Sequence, residues 1–132
     1  MPIIATDTPR LSNLVKHEYE PSLGFCRAAV TVNEAAATTY QVGTVLGKVT
    51  ATGKYVVAKE TAVDGSKVPA AVVIEDKSVA ATTDTKVLTI VRGNAILSKG
   101  ALVLDATYND AAKKQAVYDA LEAKNILVNE TV

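Results

Sequence analysis

One cysteine, one histidine, one phenylalanine, one methionine and no tryptophan occur in this chain of 132 residues. A single cysteine, Cys26, excludes an internal disulfide and leaves the redox compartment unspecified. A single histidine, His17, leaves little from which to build a catalytic base or a Cys/His metal set. Aromatics make up 5% of the residues, which disfavours a small-molecule pocket, because such pockets are commonly lined by aromatic rings. An excess of either charge is missing too. Fourteen basic residues balance fourteen acidic ones, so the basic field on which nucleic-acid and anionic-membrane binding rest is absent. No apolar run nears the roughly 20 residues that span a bilayer. The first twenty residues lack the basic start and apolar stretch of a signal peptide, so the expectation is a soluble chain made in the cytoplasm.

What the chain does hold is alanine, valine and threonine, at 21, 19 and 15 residues. Valine and threonine suit pleated, half-buried surfaces, and alanine suits close approach of elements. With 48% hydrophobic and 21% charged residues the composition is globular. A chain of this length makes one domain that buries roughly two-thirds of its unfolded surface, and it needs neither disulfide nor metal to fold. The expected class is a β-rich α+β domain, a small barrel or sandwich with one principal C-terminal helix.

Three of the four prolines, Pro2, Pro9 and Pro21, fall at the start. Each removes a backbone donor and pushes its predecessor toward extended geometry. Residues 1–24 therefore read as an extended arm, poorly ordered on its own, ahead of a β-rich domain over residues 25–132. The arm carries Ile3, Ile4, Leu11, Leu14, Val15, His17 and Tyr19, more apolar groups than a solvated tail needs, and these are the candidate docking residues. If extended, Val15, His17 and Tyr19 share one face, and Leu14 and Glu18 the other.

Short strands with turn signals between them follow. They are expected over Phe25–Val32, within Gly43–Thr50, over Tyr55–Ala58, Ala70–Ile74, Lys86–Arg92, Asn94–Leu97, Leu102–Leu104 and Ile126–Val128. Asn33–Thr39 and Ala80–Thr85 read as loops, and Asp64-Gly65-Ser66 as a turn. Lys86–Arg92 is apolar on both faces, which predicts a central strand. A helix is expected over Asp110–Lys124, capped by Thr107 or Asn109, with Ala116, Val117, Ala120 and Leu121 as its apolar stripe. Asn125 is a suitable left-handed stop.

Motifs that carry chemistry are sparse. Gly43 to Lys48 has three residues between its glycines and Val49 after the lysine, where a phosphate loop needs four and a hydroxyl. His17, Glu18, Glu20 and Cys26 have metal-ligand chemistry but nothing to complete a set, so no metal or cofactor is expected. Glu75 and Asp76 point to opposite faces if extended. Asp64 suits its turn on conformational grounds alone. The expectation is a structural, non-catalytic protein.

The run GTVLGKVTATGKY from Gly43 to Tyr55 resembles bacteriophage head decoration proteins of the lambda type. So do Ala62 to Ser66 with the apolar run to Ile74, then Val87–Arg92, Ala101-Leu102, the helix and its closing Ile126–Val128, in that order. Phe25-Cys26-Arg27 leading to Val30-Thr31-Val32 resembles the family's first strand. The resemblance covers residues 14–128, with departures at Ala28, Ala71, Leu104 and Asn125. It implies a cement protein that binds the major capsid protein on the outer surface of the expanded head. It further implies a homotrimer at local threefold positions, holding the shell against packaged DNA, with the N-terminal arm pairing with capsid sheet edges. The alternatives are another virion component, such as a head fibre base or tail tube, or a trimeric β-rich enzyme acting on small nucleotides through Asp64 and Asp105.

Overall fold

The alternating runs pair into a closed barrel with a smaller open sheet beside it. The computed structural model describes residues 14–20, 24 and 26–129. Its strands are β1 (Val15–Glu18), β2 (Arg27–Val32), β3 (Thr38–Tyr40), β4 (Val45–Lys48), β5 (Tyr55–Val57), β6 (Pro69–Val73), β7 (Lys77–Val79), β8 (Thr85–Ile90), β9 (Ala95–Ser98) and β10 (Ile126–Asn129). One helix, α1 (Ala111–Glu122), lies between the last two strands. The barrel runs β2-β5-β4-β6-β8. It closes where β8 lies antiparallel to β2, with Arg27 opposite Ile90 and Val32 opposite Thr85. Closure leaves no free edge. The other sheets are β1-β9-β10, with β9 in the middle, and a ribbon of β3 and β7.

Period-two alternation sends barrel residues into two separate cores. Val30, Val32, Leu46, Ala71, Val73 and Val87 meet inside the barrel, closed over by Tyr40 and Val79 from the ribbon. Five strands enclose less room than the eight that just fit side chains, which accounts for valine and alanine where larger domains use phenylalanine. The intervening residues Val45, Val72 and Ile90 face outward. They meet Leu97 of β9, Val117 and Leu121 of α1, and Ile126 of β10 in a second core. β6 is thus buried on both faces, which explains its unbroken apolar run.

Close approach explains two glycines. A Cβ at Gly47 would run into the Ser66 backbone carbonyl, and Gly65 takes φ +97° beside the Thr50 side chain. The Asp64 carboxylate accepts hydrogen bonds from the Ser66 backbone N–H at 3.0 Å and from its hydroxyl. The turn read at Asp64–Ser66 is present and holds β4 from outside.

α1 buries Val117 and Leu121 of the expected stripe, while Ala120 is half-buried and Ala116 is exposed, and Asn125 stops the chain with φ +62°. The cap is neither Thr107 nor Asn109. Asp110 itself takes extended geometry and accepts from the Lys113 backbone N–H at 2.9 Å.

Four expectations need correction. β3 falls partly in the expected loop Asn33–Thr39, and β7 was not read from the sequence at all; each has three residues. Leu102–Leu104 is not a strand: Val103 alone bridges Thr44, donating to Gly43 O at 2.8 Å and accepting from Val45 N at 3.2 Å. The domain boundary at residue 24 is also crossed. Leu14 is fully buried in the outer core and β1 pairs with β9, so residues 14–20 belong with the folded domain.

Candidate docking surface

The root of the arm is fixed by backbone pairing, one ion pair and one thiol. β1 lies antiparallel to β9, with Val15 opposite Leu97, His17 opposite Ile96 and Glu18 opposite Ala95. The register shifts between Val15 and His17. That shift leaves Lys16 exposed, where strict alternation would turn its charge into the core. Glu18 is buried and grips Arg27 of β2, whose Nε donates to both carboxylate oxygens at 3.0 and 3.2 Å while a terminal nitrogen donates to Oε1. The hydrogen bond from Arg27 to Glu18 raises the guanidinium pKa further above its ordinary value. A bidentate pair of this kind fixes orientation as well as distance, so the open sheet is keyed to the barrel. Cys26 adds its thiol, which lies 3.6 Å from the carbonyls of both Tyr19 and Asn94. The Tyr19 N–H donates to the Asn94 carbonyl at 2.8 Å.

Among the candidate docking residues, Leu14 is used in the core and is not on a surface. Val15 is half-buried and packs on that core, while His17 and Tyr19 are exposed. Ile3, Ile4 and Leu11 lie outside the described residues. The structure brings His17 together with residues that sequence reasoning did not single out. A groove on the outer face of the open sheet is lined by His17, Asn94, Ala95, Ile96, Asn125 and Leu127. Part of its signal was present in the sequence: Ala95–Leu97 and Ile126–Val128 are apolar at consecutive positions, so a strand with one buried face must expose the other apolar residues.

Several acidic side chains hold backbone in place. Glu34 accepts from the Tyr40 hydroxyl and, at 2.9 Å, from the Val57 N–H. Burial first, and this hydrogen bond second, push the Tyr40 hydroxyl well above the ordinary phenol range. Asp76 accepts from Val42 N at 3.0 Å, and Glu75 from Leu88 N at 2.7 Å. Asp105 accepts from the Thr107 N–H at 3.1 Å and its hydroxyl at 2.8 Å. Asp64 and Asp105, the pair a nucleotide-acting enzyme would draw on, therefore each bind groups two residues along their own loop. Gly43 to Lys48 runs into β4 and forms no phosphate cradle. Among the described residues, no group of three or more His, Cys, Asp and Glu is placed to hold a metal ion. No described helix is long and apolar enough to cross a membrane.

Comparison with known proteins agrees with this architecture. The family model described as bacteriophage lambda head decoration protein D matches residues 4–126. No curated protein matches the chain.

Proposed function

The chain belongs to the bacteriophage lambda head decoration protein D family, and on that premise we propose that it cements the expanded phage head. It binds the major capsid protein on the outer surface as a homotrimer at local threefold positions, after synthesis in the host cytoplasm, and holds the shell against the pressure of packaged DNA. It does so without catalysis, metal or cofactor. The family match carries this reading, and the committed carboxylates and closed barrel are consistent with a mechanical role.

The chemistry of the clamp is backbone pairing. β1 is an edge strand of the open sheet, and residues 1–13 precede it in the same arm. Fully extended, they reach at most roughly 45 Å. An arm of this kind adds a strand to a capsid sheet edge, where main-chain hydrogen bonds supply affinity with little demand on sequence. Ile3, Ile4 and Leu11 supply the side-chain contacts. Closed cyclic symmetry is the common solution for small identical subunits, and three arms on one trimer bind with avidity, so each arm can be weak.

Cosedimentation of the full chain with expanded and unexpanded heads tests the reading, alongside its mass by light scattering. Saturable binding to expanded heads by a species that is trimeric, or becomes so on the shell, is expected. A stable dimer with equal affinity for tails and heads would point to another virion role.

A further inference from the structure

We propose that the outer face of the β1-β9-β10 sheet, a cross-strand row of His17, Ile96 and Leu127, is a second capsid contact that seats an apolar, uncharged segment of the capsid subunit. The inference rests on the decoration reading above and deepens it by naming a surface apart from residues 1–13.

The row follows from register. β1 places His17 opposite Ile96, and β10 places Leu127 opposite the same Ile96 from the other side. Alternation turns Ala95, Leu97 and Ile126 into the core. Ile96 and Leu127 therefore face outward, with Leu127 40% exposed. The barrel offers the contrast: Leu88 is exposed to a similar 36%, but its cross-strand partner on β2 is Ala29. Single exposed leucines need no explanation, whereas a contiguous row does.

The lining decides the chemistry of the occupant. Among the described residues, His17 is the only titratable side chain lining the groove, and the remaining polar side chains are the amides of Asn94 and Asn125. With neither carboxylate nor ammonium among the lining groups, nothing there favours a charged ligand. Two amides beside apolar side chains suit an extended backbone carrying apolar residues.

Chain length argues for the capsid as the source. Residues 1–13 join the sheet at the Val15 end of β1, two positions from His17. A capsid segment caught by Ile3, Ile4 or Leu11 is held within roughly 45 Å of the row. Arm capture thus raises the local concentration of that same surface at the row, and a weak second contact suffices.

The test uses the full-length chain. Leu127→Ser, Leu127→Met and Leu88→Ser are compared for thermal unfolding, mass in solution and affinity for expanded heads. Leu127→Ser is expected to weaken head binding about tenfold with unfolding and mass unchanged. Leu127→Met should retain binding, and Leu88→Ser should match the parent. Because Leu127 is exposed, loss of fold is not expected; Ile96→Thr provides a second variant of the row. Equal head affinity for Leu127→Ser, Ile96→Thr and the parent would overturn the proposal while leaving the decoration reading intact. A change in mass without a change in head affinity would also overturn it, by assigning the row to contacts between copies of this chain. Failure of the parent to bind heads at all would instead remove the decoration reading.

Discussion

The barrel and the open sheet are both built from short strands, yet they treat their edges and outer faces in opposite ways. The barrel has no free edge, fills its interior with valine and alanine, and turns three of its outward residues, Val45, Val72 and Ile90, into a second core. Among the described residues the sheet has two unpaired edges, β1 and β10, and leaves Leu127 exposed and Ile96 half-buried on its outer face. One face of the sheet is held by α1 and the barrel wall; the other has no partner among the described residues. Under the function proposed above, stability and recognition are thereby separated, with docking assigned to the sheet and the arm. Besides the shared outer core, the polar link between barrel and sheet is Glu18 on Arg27, with Cys26 on the carbonyls of Tyr19 and Asn94.

Deleting side chains on each side of that link should have the largest effects. Leu46→Ala empties space inside the barrel and Leu121→Ala empties it under the helix; both side chains are fully buried. Each should cost about 2–5 kcal/mol in denaturant unfolding. Hydrogen exchange should tell them apart. Leu46→Ala should raise exchange throughout, whereas Leu121→Ala should raise it most in β9 and β10. Equal loss of protection in the barrel from both would erase the distinction between the two regions.

The link itself comes next. Glu18→Gln leaves Arg27 without its carboxylate and should cost about 1–3 kcal/mol. Replacing both, Glu18→Gln with Arg27→Met, should restore part of the loss, because an ion pair removed whole leaves no stranded charge. A double variant as unstable as the sum of the singles would mean that the two residues do not act together.

A smaller effect is tied to pH. Burial and Glu34 raise the Tyr40 pKa in the folded state, so the stability this hydroxyl contributes is full below the unfolded value of about 10 and is lost as pH rises above it. Tyr40→Phe should flatten the alkaline limb of the stability profile relative to the parent. Parallel alkaline limbs would show that Tyr40 does not titrate differently on unfolding. The smallest effect is expected from Lys114→Ala. This residue is exposed on α1 away from Val117 and Leu121, and stability should stay within about 0.5 kcal/mol of the parent.

How legible each region was in the sequence follows the same division. The barrel strands β4 and β6 announce themselves by apolar runs because both faces are buried, whereas β8, read as apolar on both faces, leaves Lys86 and Leu88 exposed. The α1 stripe and the positive φ at Asn125 were legible from spacing and residue type. β3 and β7 were not: each has three residues and fully buries only one, Tyr40 and Val79. β1 was hidden for a different reason. Its one buried residue is a glutamate, and Glu18 reads as polar until Arg27, nine positions on, is seen to neutralise it. Leu102–Leu104 misled in the opposite direction, since apolar residues can pack against a core from a loop with one bridge. The row of His17, Ile96 and Leu127 was hardest to see, because it exists only once the registers of three strands are known.

The division between fold and recognition is tested most directly by removing residues 1–13 and leaving Leu14 and β1 in place. Cutting before Phe25 would confuse the two roles, since it would also strip Leu14 and Glu18 from the core. A chain starting at residue 14 should unfold at the temperature of the parent by circular dichroism and lose most of its affinity for expanded heads. Head binding as tight as that of the full chain would contradict the account and leave the folded domain alone to carry the clamp.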